Sequence, residues 1–174
     1  MSGKAYGKNL PYGFRGAVSR QPDTLVVPFT NVGTTNIGYG EPVVFDTTKK
    51  GVRQVASGDA TSAIIGLAVR RVGQPYVDDP MGYYYKAGDT VDVLVRGSMT
   101  IEVLDTTGIA ARGKVYCCNG SAASTDEDRV AGAIVAQAAS GDSPDTIEVP
   151  NTVFATGVCD SNNIAEVTIL TRSI

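Results

Sequence analysis

Two sets of residues in this 174-residue chain could do covalent or metal chemistry, and each has a plainer use. Carboxylates cluster at Asp78-Asp79 and at Asp126-Glu127-Asp128. Such groups can serve as a glycosidase-like acid and nucleophile, or ligate calcium. Neither cluster has the D-x-D-x-D-G spacing of a calcium loop. Both lie in stretches that read as exposed loop, where a solvated charge run is the simpler account. The cysteines are Cys117, Cys118 and Cys159, an adjacent pair and one distant residue. That is no disulfide framework, and a chain with no histidine offers nothing to complete a redox or zinc site. The missing histidine also removes Ser–His–Asp and Cys–His relays. Ser-Gly-Asp at 57–59 and again within 140–143 matches neither a nucleophile elbow nor a phosphate loop. The expectation is a non-enzymatic protein with no metal and no cofactor.

The remaining chemistry is adhesive. Residues 1–22 carry Lys4, Lys8, Arg15 and Arg20 and no acid, a charge of +4, whereas the other 11 basic and 18 acidic residues sum to −7. Gly3, Gly7, Gly13, Gly16 and Pro11 break the stretch, and Tyr6, Leu10, Tyr12, Phe14 and Val18 are spread through it. It lacks helix or strand periodicity and is too apolar for a plain solvated tail. It reads as an extended arm that becomes ordered on another surface, with folding back across its own domain as the plainer alternative. Extended, it would reach roughly 75 Å. Tyr83, Tyr84 and Tyr85 form a second aromatic set. In a strand Tyr83 and Tyr85 share one face and Tyr84 takes the other, so the triplet is a possible interface. Sugar stacking is the competing use, weakened by the absence of Trp.

The elements that must position these residues read as strands. Twenty glycines and eight prolines among abundant Val, Thr and Ala argue for short strands and tight turns. TLVVPFT (24–30) is β-like, with Pro28 suited to an edge. EPVVFD and VRQV flank a turn at Lys49-Lys50-Gly51, and SAIIGLAVRR reads as a strand buried on both faces. In KAGDTVDVLVRGSMTIEVLD the apolar Val91, Val93 and Val95, then Met99, Ile101 and Val103, alternate with other residues about Gly97-Ser98. This pattern predicts a hairpin turning at those two residues. KVYCC, the 130–138 segment, TIEVPNTVF and IAEVTIL complete about ten strands. The fold class is all-β, a single barrel or jelly-roll-like sandwich of short antiparallel strands (23–174) behind an extended N-terminal arm (1–22).

A net charge of −3 argues against nucleic acid as the partner of the folded body. No run is long enough to span a membrane, and the basic amino terminus has no apolar core behind it as a signal peptide would.

The order of short motifs resembles a known family. P-x-G-F-x-G-x-V-x-R (Pro11, Gly13, Phe14, Gly16, Val18, Arg20) precedes a β-domain with I-G-L-A-V-R at 65–70 and G-D-x-V-x-V at 88–93. The chain then closes on P-N-T-V-F-A-T and A-E-V-T-I. This is similar to the structural cement, or head-decoration, proteins of tailed bacteriophages. The resemblance implies a protein made in the host cytoplasm that binds the outer surface of an icosahedral head. It would clamp neighbouring major capsid subunits and sit beside other copies of itself as dimers or trimers. The arm residues Lys4, Tyr6, Lys8, Leu10, Tyr12, Phe14, Arg15, Val18 and Arg20 would then form the capsid-binding set. The rival class is a β-sandwich adhesion or carbohydrate-binding module using Tyr83 to Tyr85. A hydrolase using the acidic loops is the third.

Overall fold

The computed structural model describes residues 12–71, 84–120, 130–138 and 146–171. The strands are β1 (Val18–Thr30), β2 (Ile37–Gly38), β3 (Pro42–Asp46), β4 (Gly51–Gln54) and β5 (Ile64–Ala68), then β6 (Tyr84–Tyr85) and β7 (Thr90–Asp105). β8 (Lys114–Cys118), β9 (Ile134–Val135), β10 (Thr146–Phe154) and β11 (Ile164–Ile169) complete the set. One turn of 3-10 helix at Thr61–Ala63 precedes β5. The fold is all-β, as the glycine-punctuated β-branched composition predicts.

β7 is shared by two assemblies. Its later residues pair with β11 on one side, from Gly97 to Glu102, and with β9 at Val103 and Asp105. β11 pairs with β10, β10 with β8 and β8 with β9, so the five strands close into a ring. Closure removes the free edges that an open sheet would present. The earlier residues of β7 pair with β1 and β5, and β5 continues into the β3–β4 hairpin. That hairpin turns where the Lys-Lys-Gly signal places it: Asp46 Oδ1 accepts from the Thr48 and Lys49 amides at 2.9 Å, and Lys50 takes a left-handed φ of 54°.

The alternation about Gly97 is real, but no hairpin is there: β7 runs straight through for 16 residues. Before Gly97, Val91, Val93 and Val95 face a cluster with Ile37, Tyr39, Val43, Ile65 and Tyr85, while Leu94 faces the barrel core. After it, Met99, Ile101 and Val103 face the barrel core. Odd-numbered residues therefore change faces across the glycine, although their period is unbroken. Gly97 has φ 120°, and the β1–β7 register slips between the Arg20–Ser98 and Leu25–Arg96 pairs. A glycine in this conformation lets one strand serve two cores. A turn glycine and a bulge glycine look alike in sequence.

β5 is buried at all five positions, with Ile64 and Leu67 in one cluster and Ile65 and Ala68 in the other. This bears out the strand buried on both faces. The 130–138 segment forms strand only at Ile134–Val135, its glycine-containing start being turn. β1 begins at Val18, so residues 18–22, the end of the expected arm, run within a strand. Pro28 lies on β1, whose only ladder among the described residues is with β7, as an edge position requires.

Candidate functional site

Two outward positions on the barrel wall are the foundation of the site. Thr100 on β7 and Glu166 on β11 lie opposite each other in register. Their neighbours Met99, Ile101, Ala165 and Val167 point into the core, so both side chains must point out. Yet Thr100 is 3% and Glu166 5% exposed. What covers them is the chain's own residues 14–20.

The fastening is dense. Thr100 Oγ1 donates to the Phe14 carbonyl at 2.6 Å, and the Thr100 amide donates to Ala17 O at 2.8 Å. The Gly16 amide returns a bond to Thr100 O at 2.7 Å, and the Arg70 amide donates to Gly16 O at 2.6 Å. Gly16 is buried with φ 76°, in a slot that leaves no room for a side chain. On the neighbouring wall the Arg20 guanidinium grips Glu166 with two bonds of 2.7 Å, and Ser19 Oγ donates a third at 2.7 Å. Arg15 reaches Glu102 at 3.0 Å. The Tyr12 amide donates to Asp160 Oδ2 at 2.9 Å, and its hydroxyl lies 3.4 Å from Thr156 Oγ1. Thus Tyr12, Arg15, Val18 and Arg20 all lie on their own barrel, Val18 by pairing with Met99. For these residues the structure shows the fold-back across the chain's own domain, with the Arg20 side chain still 65% exposed. Phe14 differs: its ring is 60% exposed, with Arg70 Cζ 4.1 Å from its centroid. Lys4, Tyr6, Lys8 and Leu10 lie outside the described residues.

The electrostatics follow the contacts. Hydrogen bonds from Arg20, then Ser19, hold the Glu166 carboxyl below its ordinary range, although burial pulls the other way. The unfolded chain therefore binds this proton more readily than the folded one. The resulting stabilisation is complete above the unfolded value near 4.5 and is lost as pH falls through the lower folded value. Asp59 and Asp160 are also lowered, so the wild-type acid limb alone is not diagnostic. The difference is: Glu166→Gln should melt with a shallower loss between pH 5 and pH 3 than wild type. Parallel curves would mean that Glu166 carries no such coupling.

The other singled-out residues go elsewhere. Tyr85 is 1% exposed, packs edge-on against Tyr39 and donates its hydroxyl to Val69 O at 2.6 Å. It is core, not interface, because β6 pairs with β2 over the second cluster and turns Tyr85 inward. Tyr84 is half-buried, and Tyr83 lies outside the described residues, as do Asp78-Asp79 and Asp126-Glu127-Asp128. A three-tyrosine sugar platform therefore loses one member. Cys117 and Cys118 are buried free thiols, and burial first, then Cys118 beside it, pushes Cys117 up to about 12. Such a thiol stays protonated and behaves as a small hydrophobe. Among the described residues no group of three His, Cys, Asp or Glu could hold a metal ion, and no helix is long and apolar enough to cross a membrane.

Sequence reasoning missed Thr100, Glu166, Asp160 and Arg70. The alternation marked Thr100 and Glu166 as outward, but nothing in it says that an outward residue is covered.

Comparison with known proteins agrees with this architecture. Comparison with curated proteins gave no match. Among solved structures, a chain from the capsid of Myoviridae phage XM1 superposes with a TM-score of 0.66 at 20% identity, covering 97% of each chain. That likeness establishes a shared fold. The profile of the structural cement protein family (E217 gp24/Pam3 gp6) matches residues 2–170, nearly the whole length and inclusive of the arm and closing motifs. The chain belongs to the phage structural cement proteins.

Proposed function

We propose that this chain decorates the outside of an assembled icosahedral phage head and clamps neighbouring major capsid subunits, without catalysis. The observation that carries the reading is the covered Thr100–Glu166 wall. It fixes residues 14–20, the root of a basic, aromatic segment, to the barrel. A segment anchored at one end has less freedom to lose when its other end is ordered on a partner. Lys4 and Lys8 with Tyr6 and Leu10 supply charge and apolar grip for the capsid surface. Many symmetry-related copies make each contact count through avidity. Neighbouring copies meet around local symmetry axes, and the particle forms in the host cytoplasm.

The test is cosedimentation with expanded heads from which the cement layer has been stripped. The variant should lack residues 1–11 only, because a cut at 22 would remove the start of β1. Loss of at least tenfold in apparent affinity, with melting unchanged, is expected. Binding equal to that of the intact chain would remove the arm from the mechanism.

A further inference from the structure

Beside the root lies a groove of about 400 Å³ whose walls include Phe14, Arg70, Asn162 and Ile164. Phe14 is the most exposed large hydrophobic residue among those described, and its carbonyl is held by the Thr100 hydroxyl and the Ala17 amide. A fixed, exposed aromatic ring is the kind of group that anchors protein interfaces. Stacking on that ring orients the Arg70 guanidinium, and its N–H edge is the part suited to a fork of hydrogen bonds with a carboxylate. The nearby Arg15 is matched by Glu102, whereas Arg70 has no carboxylate partner among the described residues. The unmatched charge of the groove is therefore positive.

We propose that this groove receives an acidic, partly apolar extended segment of the major capsid subunit. A carboxylate of that segment bridges to Arg70, and an adjacent apolar side chain lies against Phe14. The inference rests on the cement reading and deepens it by naming the chemistry of the partner. The charge argues against the obvious rival: residues 1–11 of a neighbouring copy, which precede its fastened root, carry Lys4 and Lys8 and no acid, and would be repelled by Arg70.

The experiment uses full-length protein and stripped expanded heads of its own phage. Phe14→Ala and Arg70→Gln should each weaken binding at least tenfold, and Arg70→Gln should also flatten its dependence on salt. Both should retain the barrel's melting and slow exchange at the Thr100 amide, since either change removes only the Phe14–Arg70 stack and leaves the backbone bonds of the root and the Arg20–Glu166 grip in place. Wild-type binding by both variants would overturn the groove while leaving the cement reading intact. If the unmutated chain fails to bind any head, the cement reading itself falls. Weakened binding by Arg70→Gln with an unchanged salt slope would overturn the carboxylate assignment. A photo-reactive phenylalanine at position 14, on the assembled head, should cross-link to an acidic peptide of the capsid subunit. Cross-linking to a neighbouring copy's basic segment would overturn the proposed occupant.

Discussion

Gly66→Ala is expected to lower stability by about 4 kcal/mol, placing it among the severe single substitutions. The glycine has no unusual φ that would penalise alanine, so the cost is wholly steric. A methyl group there would overlap the Leu94 carbonyl oxygen, and it would stand 2.8 Å from Val93 Cγ1 and 3.0 Å from Leu94 C. The chief obstacle is backbone of β7, which cannot swing aside as a side-chain tip can. β5 would have to move away from β7, breaking the Leu67–Leu94 and Ala68–Val93 pairing. Because β5 lies between the two clusters, Ile64 and Leu67 would loosen on one face and Ile65 and Ala68 on the other. In a chain of this size the midpoint of thermal unfolding should fall by roughly 8–16 °C. Removing the lesser obstacle as well, in Gly66→Ala with Val93→Ala, should give no rescue, since the carbonyl remains and a cavity is added. Recovery in that double variant would show that side-chain crowding, not strand approach, sets the requirement.

How much of this was legible in the sequence depends on what each signal encodes. Composition made the all-β class legible, the Lys-Lys-Gly turn signal the β3–β4 hairpin, and the unbroken apolar run the doubly buried β5, whereas alternation reports which face a residue takes relative to its neighbours. It does not report which core lies on that face. Val91 and Met99 share a phase but serve different clusters, and only the backbone of Gly97 says so. Composition reported the arm as a sticky basic stretch. It could not divide the stretch into a fastened root and a leading part, because the fastening depends on residues 50 to 150 positions away: Arg70, Thr100, Asp160 and Glu166. Polar residues at outward positions in a strand normally face water, and Thr100 and Glu166 carry no local mark that they do not. The Tyr83–Tyr85 triplet misled for the opposite reason, since an aromatic ring with a hydroxyl suits an interface or a core equally well. In Tyr85 the Val69 carbonyl satisfies that hydroxyl and settles it in the core.

Gly16→Ala should detach the root and, with it, the function proposed for the segment. Its φ of 76° costs an alanine about 1 kcal/mol. The larger penalty is contact: a Cβ would lie 2.9 Å from Tyr39 Cβ and 3.0 Å from the amide nitrogens of both Arg70 and Gly40. Together these make roughly 3 kcal/mol, the scale of an overpacked core site plus a strained backbone. Gly13→Ala separates the two contributions. Gly13 also has positive φ, 101°, but a Cβ there meets nothing within 4 Å, so that variant should lose about 1 kcal/mol. The strain in Gly16→Ala has a local escape, because residues 12–17 can lift from the wall while the barrel stays folded. Amide exchange should therefore rise first at Arg70 and Thr100, whose partners are Gly16 O and Ala17 O, and leave the ring of β8, β10 and β11 protected. Lifting would uncover Thr100 and release the point from which the basic segment departs. Head binding should then fall about as far as deletion of residues 1–11 lowers it, although every one of those residues is still present. Were Gly16→Ala to bind heads like the wild type while its Arg70 and Thr100 amides exchanged freely, a fixed root would be irrelevant to the clamp, and the segment would act as a plain tether.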